Sequence, residues 1–373
     1  MKHSRNLAMI DFSALEHNLI QVRNLIGPRV AIMGVVKADA YGHGLVPISR
    51  ALQRMGVESL GVAHLHEALA LRENGLDLPL FILSGIQTRD EAVAVVERAL
   101  SPVIFDVSAA ESIADECTRR GTKMSVYLKV DTGMGRLGIP HGEVGSFLER
   151  IMPFKSLHPE GLISHLSSAD DPDVAFTEAQ IKNFKKAVEI VRSMGFPLPL
   201  NSLANSAGVM VHREAHFDMV RPGIMLYGGL PFPDFPSPVR LRPVMTFKGA
   251  VIQVREMAEG LPISYSRTYH TKRDEKIAVL SSGYGDGLPR SLSNRGQVLI
   301  RGRRAGIVGR VCMNLTMVDV SAIGGVSPGD EAIFLGCQGQ ACITGDEVAR
   351  WAETIAYDVF CSIGQRSTRF YGL

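Results

Sequence analysis

A lysine stands where a buried strand should end. The apolar run Val30, Ala31, Ile32, Met33, Val35, Val36 leads into Lys37, and Ala38-Asp39-Ala40-Tyr41-Gly42-His43-Gly44 follows as a glycine-rich turn before an amphipathic stretch. An amine is rarely left in such a place without a partner. Desolvation there lowers its pKa and leaves more of the neutral, nucleophilic form. That is the environment in which a lysine forms an imine with an aldehyde cofactor. A lysine that only snorkels to the rim of a sheet gives the same local pattern.

The elements that must position this residue can be read from the alternation around it. Strand-like runs occur at Val30–Val36, Leu60–Ala63, Leu78–Leu83, Pro102–Val107, Met124–Val130, Gly161–His165, Leu198–Ser202 and Met219–Tyr227. Helical stretches lie between them. The clearest is Thr177–Met194, where Thr177 and Gln180 have capping-box spacing and Gly195 and Pro197 stop the helix. Eight strand–helix repeats predict a (β/α)8 TIM-like barrel over residues 1–240. An open doubly wound sheet competes, but no G-x-G-x-x-G opens a first helix. The C-terminal ends of barrel strands carry chemistry. Here those ends hold Lys37, Lys129 with Asp131, His165, then Ser202 with Asn205 and Ser206, and Arg221 close to Gly223.

The texture changes after about Leu241. Pro231–Pro238 is a proline-rich connector, and β-branched, alternating runs follow at Val244–Val254, Ile277–Leu280, Val298–Val311, Met317–Val320 and Glu331–Leu335. They predict a mostly-β C-terminal domain over 241–373, ending in a helical patch at Asp346–Ile355. The first strand of the chain is free to pair with that domain.

Bulk properties narrow the function classes. A net charge of +2 gives no basic excess for nucleic acid. No apolar run approaches a membrane span. The N-terminal Met1–Asn6 has a basic start without the apolar region of a secretory signal. Five cysteines with no CxxC pair suggest neither a disulfide framework nor a zinc site, and no metal is expected. These features fit a cytoplasmic protein.

Taken together, these motifs give the chain a close resemblance to the bacterial alanine racemases, pyridoxal-phosphate enzymes of barrel fold type III followed by a β domain. The resemblance runs from Met9-Ile10-Asp11 to Arg369-Phe370-Tyr371 and rests on ordered motifs: Val36–Gly44, Lys129–Gly138, Val220–Ile224, Ser264-Tyr265-Ser266-Arg267-Thr268, Gly283–Gly287 and Gly309–Met313. It implies that Lys37 binds pyridoxal 5'-phosphate and, once released, acts as a base on one face of the substrate Cα. Tyr265 is then the base on the opposite face, since a proton taken from one side must be returned to the other. His165 matches the residue touching that tyrosine. Arg221 matches an arginine facing the pyridine nitrogen, to which it cannot deliver a proton as an acid would. Tyr41, Ser206, Gly223, Ile224 and Tyr357 match phosphate-binding positions. Arg136 and the Met313 backbone match substrate-carboxylate contacts. Lys129 matches a lysine carbamylated in many members, although a plain salt-bridged lysine fits the position as well. Tyr284 matches an entrance tyrosine. In the family Tyr265, Tyr284 and Met313 act in the partner subunit's site, which implies a homodimer with shared sites. The implied role is supply of D-alanine for peptidoglycan.

Three positions depart from the common pattern: Ser202 where many members have histidine, Ser266 for glycine, and Asn314 for aspartate. They bear on substrate breadth, alanine against serine. Two rivals remain. A fold-related decarboxylase pairs the pyridine nitrogen with an acid, against Arg221. A non-enzymatic pyridoxal-phosphate carrier is a single barrel, against the second domain.

Overall fold

A computed structural model describes residues 6–372; the basic stretch Met1–Arg5 lies outside the described residues. The first strand, β1 (Leu7–Asp11), ends at Asp11, whose carboxylate accepts from the Ser13 and Ala14 amides and so starts helix α1 (Phe12–Ile26). The barrel strands follow as β2 (Ala31–Val35), β3 (Ser59–Val62), β4 (Leu80–Ile82), β5 (Ser101–Ile104), β6 (Met124–Asp131), β7 (Leu157–Ile163) and β8 (Met219–Val220). Helices α2 (Leu45–Arg54), α3 (Leu65–Glu73), α4 (Arg89–Glu97), α5 (Val107–Arg120), α6 (Val144–Ile151), α7 (Ala175–Ser193) and α8 (Ser206–Val211) run between them.

All barrel pairings are parallel, from β2 round to β7, and β2 closes on β8. The interior is filled by Met33, Phe81, Val103, Tyr127, Ile163 and Met219, one from each of six strands. It is a packed core, so ligands are confined to the mouth.

Two sequence expectations are corrected. The run Leu198–Ser202 contracts to a single bridge, Ser202 to Ile163. Pro197 and Pro199 lack N–H donors and Leu198 has φ 46°. Asn201 and Asp218 take over the ladder bonds, with the Asn201 amide donating to Asp218 Oδ2 at 2.9 Å. The eighth run likewise gives only two strand residues before a 3-10 turn, Ile224–Tyr227. The second correction concerns α7, which starts at Ala175, so Thr177 and Gln180 do not form a cap. Both are buried inside the first turns. Gln180 Nε2 instead donates to the His165 carbonyl at 3.1 Å, tying α7 to the strand end that carries His165.

The second domain is a mostly antiparallel sheet. Its strands are β9 (Met245–Met257), β10 (Glu275–Leu280), β11 (Gln297–Ile300), β12 (Arg303–Ile307), β13 (Thr316–Asp319), β14 (Glu331–Gln338), β15 (Ala341–Ile343) and β16 (Thr368–Gly372). The order β14-β11-β12-β13-β10-β9 closes on itself because β14 also pairs with β9. Strand β1 is antiparallel to β9 and parallel to β16, so the first strand of the chain belongs to this sheet. Helices α9 (Gly345–Ala352) and α10 (Ala356–Arg366) return the chain to the barrel mouth. There α10 packs so closely that a Cβ on Gly42 would lie 2.3 Å from the Phe360 carbonyl oxygen.

The cysteine reading is also corrected. Cys337 and Cys342 face each other across the β14–β15 hairpin and form a disulfide. Antiparallel register, which residue counting does not see, brings their Cα atoms to 4.0 Å. Among the described residues no helix is long and apolar enough to cross a membrane.

Candidate active site

The residue after Val36 sits at the mouth of the barrel because β2 ends there, but the turn that follows is unusual. Ala38, Asp39, Ala40 and Tyr41 all have φ between 53° and 56°. A left-handed turn of non-glycine residues costs roughly 1–2 kcal/mol per residue. It persists because it is bonded on both sides. The Ala38 amide donates to Glu67 Oε1 at 2.7 Å, and the Leu45 amide donates to Asp39 Oδ1 at 2.6 Å. Arg369 on β16 ion-pairs with Asp39 and donates to the Gly42 carbonyl at 3.1 Å. The turn delivers Lys37 and Tyr41 to the same cavity.

That cavity, about 400 Å³, gathers ten of the residues to which the resemblance gave a role, with the strand-end residue Asn205. Lys37, Lys129, Arg136 and Arg221 line it, and no carboxylate does. Two guanidiniums and two amines without an acid suit an anionic ligand. His165, Tyr41, Ser206, Gly223, Ile224 and Tyr357 complete this set on the walls. The Asp131 carboxylate accepts from the Gly133, Met134 and Gly135 amides and so shapes the loop that carries Arg136.

Burial acts on each of these groups. It holds the Lys37 amine below the ordinary lysine range, with Arg136 adding to the effect. Lys129 is pushed down to about 7, by burial first and then by Arg221, Arg136 and Lys37. Burial also keeps His165 neutral, reinforced by Arg221. Tyr41 and Tyr357 are pushed up by burial and remain protonated donors.

Arg221 is buried and meets only neutral acceptors. Its Nη1 donates to Ser202 Oγ, and its Nη2 to the Ser164 and Leu203 carbonyls, with His165 Nδ1 at 3.5 Å. Burial brings it down to about 9. Ser202, one of the three departures, donates its hydroxyl to the Met219 carbonyl at 2.6 Å, so its oxygen is free to accept from Arg221. Next to Arg221, Ser206 Oγ accepts from the Gly223 amide at 3.0 Å. A Cβ at Gly223 would lie 2.3 Å from Tyr41 Oη, so only glycine fits there.

Three residues named from sequence are not in this cavity. Tyr265 is 69% exposed and Met313 57% exposed on the second domain, and Tyr284 is half-buried there. The structure does bring these three together. Ser264 Oγ donates to the Arg310 carbonyl at 2.6 Å, the Tyr284 amide donates to the Cys312 carbonyl at 3.0 Å, and the Gly285 amide to Met313 O at 2.7 Å. Ser264, Ser266 and Arg267 have positive φ, so Tyr265 projects from a strained loop. Ser266, with φ 58°, occupies the backbone state that glycine adopts most easily.

Sequence reasoning missed Ala63, Leu83, Ser84 and Leu137, which also line the cavity. Ala63 and Leu83 directly follow barrel strands, and the strand-end rule applied to every strand finds them. Among the described residues no group of three or more His, Cys, Asp or Glu side chains could hold a metal ion.

Two sequence profiles match the chain: the alanine racemase N-terminal domain over residues 10–231 and the alanine racemase C-terminal domain over 244–371. An alanine racemase of Syntrophobacter fumaroxidans is 41% identical over 356 residues, covering 95% of this chain and 94% of that one. Among solved structures, the alanine racemase of D-cycloserine-producing Streptomyces lavendulae superposes with a TM-score of 0.92 at 32% identity, covering 100% of this chain and 98% of that one. The Bartonella henselae enzyme, crystallised with covalently bound pyridoxal phosphate, gives 0.89 at 29% identity, covering 99% and 100%.

Proposed function

We propose, from the premise that this chain belongs to the alanine racemase family, that Lys37 and Tyr265 are the two bases with which it interconverts L- and D-alanine. The protein is a pyridoxal-phosphate-dependent isomerase of that family. The observation that carries the assignment of Lys37 is the cavity itself: a desolvated amine, a guanidinium with only neutral partners and a set of hydroxyls.

Those residues fit the cofactor. Lys37 would hold its aldehyde carbon. Ser206, Gly223, Ile224, Tyr41 and Tyr357 would hold its phosphate, through hydroxyls and backbone amides where glycine leaves room. Arg221 would face the ring nitrogen. When bound, pyridoxal phosphate supplies an electron-withdrawing ring that acidifies the Cα–H of the amino acid attached to it.

The protein's own residues do the rest. Arg221, whose partners are neutral acceptors, would not act as an acid towards the ring nitrogen of a bound cofactor and would leave it unprotonated. Neutral His165 accepts a hydrogen bond from Arg221 at its Nδ1. Arg136 receives the substrate carboxylate. Lys37, released from the cofactor, removes or returns a proton at one face of Cα; its lowered pKa keeps it able to accept. The opposite face needs a second group, and Tyr265 supplies it from a second copy of the chain. An exposed tyrosine on a strained loop, beside exposed Met313, is what a surface completed by a partner presents. The active unit is therefore a homodimer in which Tyr265, Met313 and Tyr284 enter the partner's cavity. The enzyme works in the cytoplasm and supplies D-alanine for the cell wall.

Lys129 is carbamylated in the working enzyme. Near pH 7 much of it is the free amine, and its nitrogen adds to carbon dioxide with loss of one proton. The product is an anion held between Arg136 and Arg221. Incubation with 13C-bicarbonate is expected to give a carbamate resonance that is absent in Lys129→Ala. The same spectrum from both proteins means that Lys129 stays an amine.

The reaction is tested by incubating L-alanine with protein and cofactor and resolving the enantiomers. D-alanine rising to an equal mixture is expected. Persistence of pure L-alanine while the bound cofactor's visible band is present defeats the proposal.

A further inference from the structure

Lys37 is placed by two things: the strand before it and the left-handed turn after it. The strand is fixed by its neighbours. The turn is intrinsically unfavourable, and the peptide between Lys37 and Ala38 sets the direction in which the lysine leaves the backbone. One side chain holds that peptide. The Ala38 amide donates to Glu67 Oε1 at 2.7 Å. The other oxygen, Oε2, accepts from the amides of Ala63 at 2.8 Å and His64 at 3.1 Å. Glu67 is 7% exposed and lies in the first turn of α3. A single buried carboxylate thus joins the turn after β2 to the end of β3, with three backbone donors and no salt bridge among the described residues.

We propose that Glu67 is the positioning residue for the cofactor lysine, tying the Lys37–Ala38 peptide to the end of β3. This rests on the assignment of Lys37 as the cofactor lysine. The groups around that amine are Arg136 from the loop after β6, Lys129 on β6, Arg221 after β8, His165 after β7 and Cys361 on α10, besides Glu67 on α3. Arg136 and Arg221 push the amine towards its neutral form, and Glu67 opposes them. Without Glu67 the balance falls further to the neutral side. The same carboxylate therefore sets both where Lys37 points and how readily the nitrogen it carries holds a proton.

Glutamine is the discriminating replacement. An amide keeps one acceptor oxygen, so it can serve the Ala38 amide or the β3 end but not both, and it removes the charge. In full-length, cofactor-loaded Glu67→Gln, the pH midpoint of the visible cofactor spectrum is expected to fall by about one unit or more, since the lost anion no longer favours the protonated nitrogen. kcat is expected to drop about tenfold or more, because small misplacement of a reacting group is costly. KM for alanine should move less than kcat. An unchanged midpoint and kcat, with only a lower melting temperature, overturns the proposal and leaves Glu67 a helix cap. If the glutamine protein does not fold, Glu67→Asp decides: it keeps the charge but is one methylene too short to bridge. It should titrate like wild type with reduced kcat, and wild-type kcat in that variant overturns the proposal. A wild-type protein with no cofactor band at any pH instead refutes the lysine assignment itself.

Discussion

Replacing Lys37 by alanine is expected to abolish the visible band of protein-bound cofactor and to lower racemisation by about 10⁴-fold or more, because covalent attachment and one proton-transfer group are lost together. The fold should survive. Lys37 makes no salt bridge among the described residues, and its amine is held in a poorly solvated place that disfavours its charge. Removing it relieves that penalty, so the melting temperature of the cofactor-free protein should stay level or rise. Absorbance spectra and thermal melts on one preparation separate the two roles. A retained band, with a clear loss of stability, would make Lys37 a structural rim lysine.

Tyr265→Phe should act on one direction of proton transfer. Exchange of the α-proton of L-alanine with deuterium from solvent is expected to fall by orders of magnitude more than exchange from D-alanine, where Lys37 does the work. Equal losses from both enantiomers would undo the two-base assignment. The exposed position of Tyr265 adds a second test. If it serves a partner's cavity, Lys37→Ala and Tyr265→Phe chains, each nearly inactive, should complement on mixing and refolding. Activity should return to about a quarter of wild type, because random pairing makes half the dimers mixed and each mixed dimer holds one intact site. No recovery would place Tyr265 in its own chain's site or outside the reaction.

The barrel and its strand-end chemistry were legible because buried parallel strands read as apolar runs and the mouth collects their C-terminal neighbours. Lys37, Lys129, His165 and Arg221 follow from that rule. The turn after Lys37 was not legible as left-handed. Ala-Asp-Ala-Tyr carries none of the glycine or asparagine that normally announces positive φ, and its conformation is imposed from outside. Glu67 and Arg369 escaped for the same reason. Each acts on the backbone of the turn, from 29 and 327 residues away, and a bond to a backbone atom leaves no mark in the residue types at either end. The disulfide between Cys337 and Cys342 was hidden by register. Helix α10, which buries Val359, Phe360 and Ile363, was missed because the helical reading stopped at Ile355, one residue before it begins.

The ion pair between Asp39 and Arg369 has a consequence for the timing of synthesis. Its partners leave the ribosome 330 residues apart, an interval of roughly 20–70 s at ordinary translation rates. For all that time a nascent barrel lacks the clamp on the turn that presents its lysine, and it lacks Tyr357 as well. The support of that turn by Arg369, and the cavity wall that Tyr357 supplies, are complete only when both domains are made.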